Sequence, residues 1–262
     1  MRVWMTKSGL VLTGLACVYT IMAAASGSLP RSPRIHSLPT DRGACVVNLS
    51  VKGQSVAKEA VARTMSIYAD GAVAFVSPFG PPKQFRTRMG GSDLQDFLNF
   101  AIDRNRFFEI NGQHLQKTVG IVTDDAPTTS IRIRADGTDH EVDMVALSEA
   151  AERRPDVVQL QQLHAIYLHL MRLMNVTVAG GEAELERALQ IINAQLAREK
   201  PGQPPLSVQE LELAHPIADD GVRLRFLRTE RTSIVAPSSR LLVEMDRPVN
   251  GPPTVRVKSL PN

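Results

Sequence analysis

Two Asp-Gly pairs, each inside a β-prone stretch, constrain the fold of this chain most. Asp70-Gly71 divides residues 64–76 into two short runs, and Asp136-Gly137 divides residues 131–142 in the same way. Asp-Gly readily takes the positive φ angles that a two-residue hairpin turn needs, and the flanking Val, Ile and Thr residues favour strands. The sequence therefore predicts two β-hairpins, each closed by a two-residue turn.

Apolar residues at helical spacing predict three helices. The first begins at Ser92, with Gln95 at the capping-box position, and Phe107-Phe108 leave it and pack beneath it. The second runs from about Val157 to Met174, and the third from about Glu182 to Arg198. The first two helices follow the two hairpins, so we predict two hairpin-plus-helix units and one extra helix.

The last part of the chain is predicted to form an antiparallel sheet. Apolar and charged residues alternate there, as is typical of strands with one solvated face, and Asp220-Gly221 supplies a turn. The predicted strands are Val208–Leu213, Val222–Phe226, Leu241–Met245 and Thr254–Val257. The predicted fold class is therefore α+β, with an α+β domain at 44–200 and a C-terminal β region at 201–262 packed on it.

The first 27 residues have the pattern of a secretory signal peptide. Arg2 and Lys7 supply a positive start, residues 9–25 carry no charge, and Ala23-Ala24-Ala25 provides small residues for cleavage. We therefore expect a periplasmic or secreted protein.

Two alternatives to cleavage remain open. The uncharged run is close to the lower length limit of a membrane span, so the segment is also compatible with a retained anchor helix. Cys17, preceded by Ala16, is a candidate for lipidation. Residues 28–43 are rich in Pro, Ser and Arg and are predicted to be a linker to the folded domain.

Removal of the signal would bring the chain close to neutrality. The whole chain has 30 basic and 27 acidic residues, and two of the basic ones precede residue 26, which leaves 28 against 27. This balance gives no indication of nucleic-acid binding. Only Cys45 would remain, so an internal disulfide is excluded in the processed chain, and we expect Cys45 to be a small buried residue.

The densest polar run, Asp-His-Glu-Val-Asp at residues 139–143, raises the question of a metal site. The register of a two-residue turn places Asp139 opposite Arg134 and Glu141 opposite Arg132. The histidine between them points to the other face, because side chains alternate along a strand. The pattern therefore favours cross-strand charge pairs over a metal site.

Other polar residues have structural interpretations as well. Asp124-Asp125 is compatible with acid/base chemistry or calcium binding, but its place before Pro127 favours a turn. His164 and His169 are five residues apart and point about 140° away from each other on a helix, which is unsuitable for a metal-binding pair.

A group of arginines in the C-terminal region is interpreted as a solvated strand face, with Phe226 on the opposite side. Its members are Arg223, Arg225, Arg228 and Arg231. The sequence contains no phosphate-binding loop, nucleophile elbow or zinc-protease motif. We therefore assign no catalytic, cofactor-binding or metal-binding residue.

The order of these signals resembles that of a loose class of exported bacterial domains of unknown function. The shared order is strand, Asp-Gly, strand, helix, Phe-Phe, Asp-x-Pro-Thr, strand and hairpin, and it covers about residues 62–174. The resemblance implies an envelope or secreted location and carries over no catalytic residue. The helix near 182–198 and the C-terminal strands lie outside it.

Export, a packed α+β core and the lack of a catalytic motif favour a non-enzymatic interaction protein with an unknown protein partner in the bacterial envelope. No nucleic-acid partner is expected, and membrane association is expected only if the signal segment is retained. One alternative is an exported hydrolase whose catalytic residues, such as Asp124, Asp125 and His140, are dispersed in sequence. Another is a peptidase-inhibitor-like module built from the two hairpin-plus-helix units.

Overall fold

The computed structural model describes residues 34–53, 62–76, 83–120, 126–217, 221–230 and 239–260. From Ile35 onward the chain forms one compact unit. The predicted signal peptide at 1–27, with Cys17, lies outside the described residues, as do Asp124-Asp125, Asp220 and Arg231.

A six-stranded antiparallel sheet contains both predicted hairpins. Its strands are β1 (Cys45–Lys52), β2 (Ala62–Tyr68), β3 (Ala72–Val76), β4 (Gln84–Arg88), β5 (Thr128–Ala135) and β6 (Thr138–Val145). Their order is β4-β3-β2-β1-β5-β6. Strand β1, which was not predicted from the sequence, pairs with β2 on one side and β5 on the other. It joins the two hairpins into one sheet and leaves β4 and β6 as the edges.

The two hairpin turns differ although both contain Asp-Gly. Asp136 and Gly137 both have positive φ angles, 53° and 72°, and form the predicted two-residue turn. The prediction of a two-residue turn at Asp70-Gly71 is wrong. There the loop has three residues, and only Gly71 has a positive φ, 81°. The N–H of Gly71 donates a hydrogen bond of 2.9 Å to the carbonyl of Tyr68.

The described residues contain five α-helices, of which three were predicted. They are α1 (Gly91–Leu98), α2 (Gly112–Val119), α3 (Leu147–Arg153), α4 (Val158–Ala179) and α5 (Glu182–Glu199). The predicted cap at Ser92 is wrong: α1 begins after Gly90, whose N–H donates to the carboxylate of Asp93 at 3.1 Å. Helix α4 continues one turn past Met174 because Val178 and Ala179 are also buried.

The C-terminal segment forms a four-stranded antiparallel sheet, as predicted. Its strands are β7 (Leu211–Pro216), β8 (Val222–Glu230), β9 (Ser239–Arg247) and β10 (Thr254–Leu260), in the order β10-β9-β8-β7. The first strand was predicted to begin at Val208, but residues 208–210 form a 3-10 turn capped by Ser207 and Glu210. The sheet packs on α4 and α5, and Phe226 is fully buried in the core that both sheets share.

The arginines of β8 are paired with carboxylates on neighbouring segments. Arg223 binds Asp246 through two hydrogen bonds of 2.5 and 2.9 Å. Arg225 lies 2.9 Å from a carboxylate oxygen of Glu212. A third residue, Arg228, pairs with Glu210. These arginines are therefore neutralised and do not form a free basic surface.

Acid is expected to weaken this sheet through Asp246. Hydrogen bonds from Arg223 hold the pKa of Asp246 below its ordinary range. A depressed carboxyl pKa stabilises the folded state at pH values above the unfolded-state pKa. That stability is lost as the pH falls through the folded-state pKa. The free energy of unfolding should therefore decline below about pH 4. In urea unfolding at neutral and acid pH, Asp246→Asn should reduce this decline. The control Glu186→Gln, on the exposed face of α5, should leave it unchanged.

The second half of the segment predicted as a linker packs on the domain. His36 is 1% exposed, and its backbone N–H and carbonyl both bind the side-chain amide of Gln95, at 2.8 and 3.0 Å. Its ring lies between two carboxylates: Nδ1 is 2.8 Å from Asp136 and Nε2 is 3.3 Å from Asp103. Gln95, predicted to complete a helix cap, instead holds this strap, defined as residues 35–38, against α1.

Candidate functional site

The polar run at 139–143 forms charge pairs, as predicted, but with a shifted partner. Asp139 binds the guanidinium of Arg132 through two hydrogen bonds of 2.7 and 2.6 Å, while Arg134 is 3.8 Å away. The pair with Arg132 lowers the pKa of Asp139. Glu141, expected to meet Arg132, accepts a 2.7 Å hydrogen bond from the hydroxyl of Ser130. The strand positions were predicted correctly, but Arg132 reaches diagonally to Asp139.

His140 lies on the opposite face of β6, as its register predicted. Its Nε2 is 2.8 Å from the carbonyl oxygen of Ile110, and its ring contacts the edges of Phe107 and Phe108 at centroid distances of 5.5 and 6.3 Å. Glu141 therefore cannot share an ion with it. Within the described ranges, no three His, Cys, Asp or Glu side chains are grouped as a metal site would require.

The two histidines of α4 lie in different surroundings. His164 stacks on Tyr167 at a centroid distance of 6.2 Å, whereas His169 contacts Phe97 and Phe100 at 5.4 and 5.0 Å. Burial lowers the pKa of both imidazoles. Both therefore favour the neutral form, packed against aromatic rings.

Cys45, expected to be a small buried residue, is half-buried. Its thiol donates to the carbonyl of Val47 at 3.3 Å, beside a β-bulge in β1, and it lines a polar hollow of about 400 Å³ with Asn48 and Ser66. Burial raises the pKa of the thiol. A protonated thiol is a poor nucleophile, which argues against a reactive role.

A cleft of about 750 Å³ lies between β6 and the segment that leads into α2. Its floor includes Phe108 and Ile110, its α2 side includes Lys117, and its β6 side includes Glu141 and Asp143. Apolar surface at the floor and polar groups at the rim are typical of binding clefts.

The cleft exposes the backbone edge of β6. It is lined by successive residues of that strand, His140 and Glu141 and then Asp143 to Val145, which point alternately to the two faces of the sheet. Residues of both faces can line one cleft only where the cleft runs along the edge between them. Strand β6 is an edge strand of the described sheet, and no described strand pairs with its outer side.

The hairpin turn determines which backbone groups point outward. In an antiparallel pair closed by a two-residue turn, Thr138 pairs with Ala135, and every second residue from there bonds to β5. The N–H and carbonyl groups of the alternate residues then point to the free edge. These residues are Asp139, Glu141, Asp143 and Val145.

Helix α2 covers one half of this edge. The N–H of Val145 donates to the side chain of Gln116 at 3.0 Å. Gly112 lies so close to β6 that a Cβ there would be 2.9 Å from the carbonyl oxygen of Asp143. Among the described residues, no hydrogen bond reaches the outward backbone groups of Asp139 and Glu141. In the described part of the chain, the half of the edge nearest the turn therefore has unpaired outward backbone groups.

The described lining residues of the cleft offer hydrogen-bonding groups and charge. Thr128 is the hydroxyl-bearing residue among the described lining residues, which include no Ser or Cys. Of the three residues named for a hydrolase, His140 lines the cleft, whereas Asp124 and Asp125 are outside the described residues. Sequence reasoning placed Glu141 and His140 correctly on their strand but missed the cleft, because it did not predict α2.

The chain matches no protein-family model, no curated protein and no solved structure. Among the helices of the described residues, none is both long and apolar enough to cross a membrane.

Proposed function

We propose that this chain is an exported, non-enzymatic binding protein that holds an extended segment of a partner protein along β6. The observation that carries the proposal is the free backbone edge of Asp139 and Glu141, which continues into the cleft beside α2. The signal-peptide pattern of residues 1–27 supports export.

An extended segment would bind by adding a strand to the sheet. The outward N–H and carbonyl groups of Asp139 and Glu141 supply four backbone hydrogen-bonding groups. Beyond Glu141, the close contact between Gly112 and Asp143 blocks further pairing. The bound segment would therefore pair over a short stretch and then leave the edge into the cleft, where the partly exposed ring of Phe108 provides apolar contact.

Proline at Glu141 is the direct test of strand addition. Its nitrogen carries no hydrogen, so Glu141→Pro removes an outward donor without removing a bond to β5. We expect it to weaken the binding of extended peptides at least tenfold. The probes are three labelled decapeptides in which Thr alternates with Lys, Gln or Glu, measured by fluorescence polarisation.

Arg86→Pro is the matched control. Arg86 lies on β4, at the opposite edge of the same sheet, and its side chain is exposed. The Arg86→Pro variant should leave peptide binding unchanged, and circular dichroism should show that both proline variants fold. If none of the three peptides binds, or if both proline variants bind as tightly as the parent chain, strand addition at β6 is refuted.

A further inference from the structure

We infer that the segment bound at the β6 edge is basic, with Lys or Arg at every second position. This inference rests on the proposed function and specifies the chemistry of the partner. The site itself is the free edge and its cleft, and the charges beside it decide which segment fits.

The side chains next to the free edge are acidic. Asp139, Glu141 and Asp143 occupy alternate positions of β6, so all three lie on the outer face of the sheet, and all are exposed. An added strand would place every second side chain beside them, at the cross-strand spacing of about 5 Å. Opposite charges at that spacing stabilise a strand pair, and like charges destabilise it.

Two of these carboxylates form no salt bridge with a described residue, although Glu141 lies opposite Arg132 and interacts with its charge at longer range. Asp139 is already bound to Arg132. Glu141 accepts a hydrogen bond from Ser130, and neither Glu141 nor Asp143 has an ion pair with a described residue. Because Arg132 gives its hydrogen bonds to Asp139, both carboxylates can form a salt bridge with a cation from a partner, Asp143 more readily than Glu141.

The described lining of the cleft, like the side chains beside the β6 edge, carries more negative than positive charge. Among its described lining residues are three carboxylates and one ammonium group. The carboxylates are Glu109, Glu141 and Asp143, and the ammonium group belongs to Lys117. A cationic segment that passes from the edge into the cleft would meet Asp139, which Arg132 already neutralises, and then a net negative set of described lining residues.

The same charges disfavour a second copy of this chain as the occupant. Pairing two β6 edges would bring the acidic residues of one copy beside those of the other. Inward or flanking charges on an edge strand are a common means of preventing such self-association. A basic segment of a different protein satisfies the edge hydrogen bonds without this repulsion.

The three alternating decapeptides test the inference directly. We expect the Thr-Lys peptide to bind about three- to tenfold more tightly than the Thr-Gln peptide, and the Thr-Glu peptide to bind most weakly. The preference should shrink as the salt concentration rises, because exposed ion pairs are screened. In the double variant Glu141→Gln/Asp143→Asn, Thr-Lys and Thr-Gln should bind equally.

A control and three outcomes separate the inference from the proposed function. The double variant Glu182→Gln/Glu186→Gln on α5 removes the same charge from exposed positions away from β6 and should keep the Thr-Lys preference. Equal binding of Thr-Lys and Thr-Gln, still abolished by Glu141→Pro, would refute a basic partner and leave strand addition intact. Preference for Thr-Glu would also refute the inference. Failure of all three peptides would refute both.

Discussion

Replacement of Phe226 by alanine is expected to lower the free energy of unfolding by about 3–5 kcal/mol. The ring is completely buried in β8, in a core that contains side chains from both sheets and from the helices between them. Truncation removes its transfer free energy from water and leaves a cavity that β-sheet neighbours cannot readily fill. The loss would be a large share of the roughly 5–15 kcal/mol by which folded domains are ordinarily stable.

The same variant tests whether the C-terminal sheet folds with the rest of the domain. Because Phe226 lies in the shared core, urea unfolding followed by circular dichroism and by fluorescence should shift as one transition. Val249→Ala is the control, since this side chain is 64% exposed in the loop before β10. Its effect should stay within about 0.5 kcal/mol. Two separate transitions, with only one shifted in Phe226→Ala, would show that residues 201–262 unfold independently.

Substitution of His36 by alanine is expected to cost about 2 kcal/mol and to release the strap at residues 35–38. Its buried ring hydrogen-bonds the carboxylate of Asp136 and lies 3.3 Å from a carboxylate oxygen of Asp103, so its loss removes these contacts and leaves a cavity. The expected value is moderate because Asp103 is 40% exposed and water can replace part of the contact.

Hydrogen exchange distinguishes release of the strap from general destabilisation. In His36→Ala, the amides of residues 36 and 37 should exchange much faster, because they are held by Gln95 and Asp136. The amides of β1 should change little beyond the global shift. Ile35→Ala is the matched control, since the neighbouring side chain is 83% exposed. Unchanged exchange at residues 36 and 37 would show that the backbone bonds to Gln95 hold the strap without the imidazole.

Local chemistry determined much of the secondary structure. The Asp136-Gly137 turn was predictable because few dipeptides accept two consecutive positive φ angles, and it determined the register of β5 and β6 residue by residue. The long helices α4 and α5 were predictable from apolar spacing. The same logic failed at Asp70-Gly71, because a three-residue loop accepts the same dipeptide and only the pairing of β2 with β3 selects between them.

Long-range contacts could not be predicted from the sequence. His36 had no recognisable partner because its two carboxylates are 67 and 100 residues away in the chain. The same holds for Gln95, whose spacing from Ser92 fits a helix cap but whose amide binds the strap. Short-range patterns describe neighbours within a turn or two, whereas these contacts arise only when distant elements pack.

Residue spacing within single elements was enough to predict the α+β class, the second hairpin and the long helices. It also predicted that Glu141 and His140 lie on opposite faces of β6. Packing across the chain is what makes β1 join the hairpins, and hence makes β6 an edge of the described sheet. The same packing places α2 over one half of that edge, while no described residue covers the other half. Strand order depends on which apolar faces pack together across the whole chain, and no local pattern contains that information.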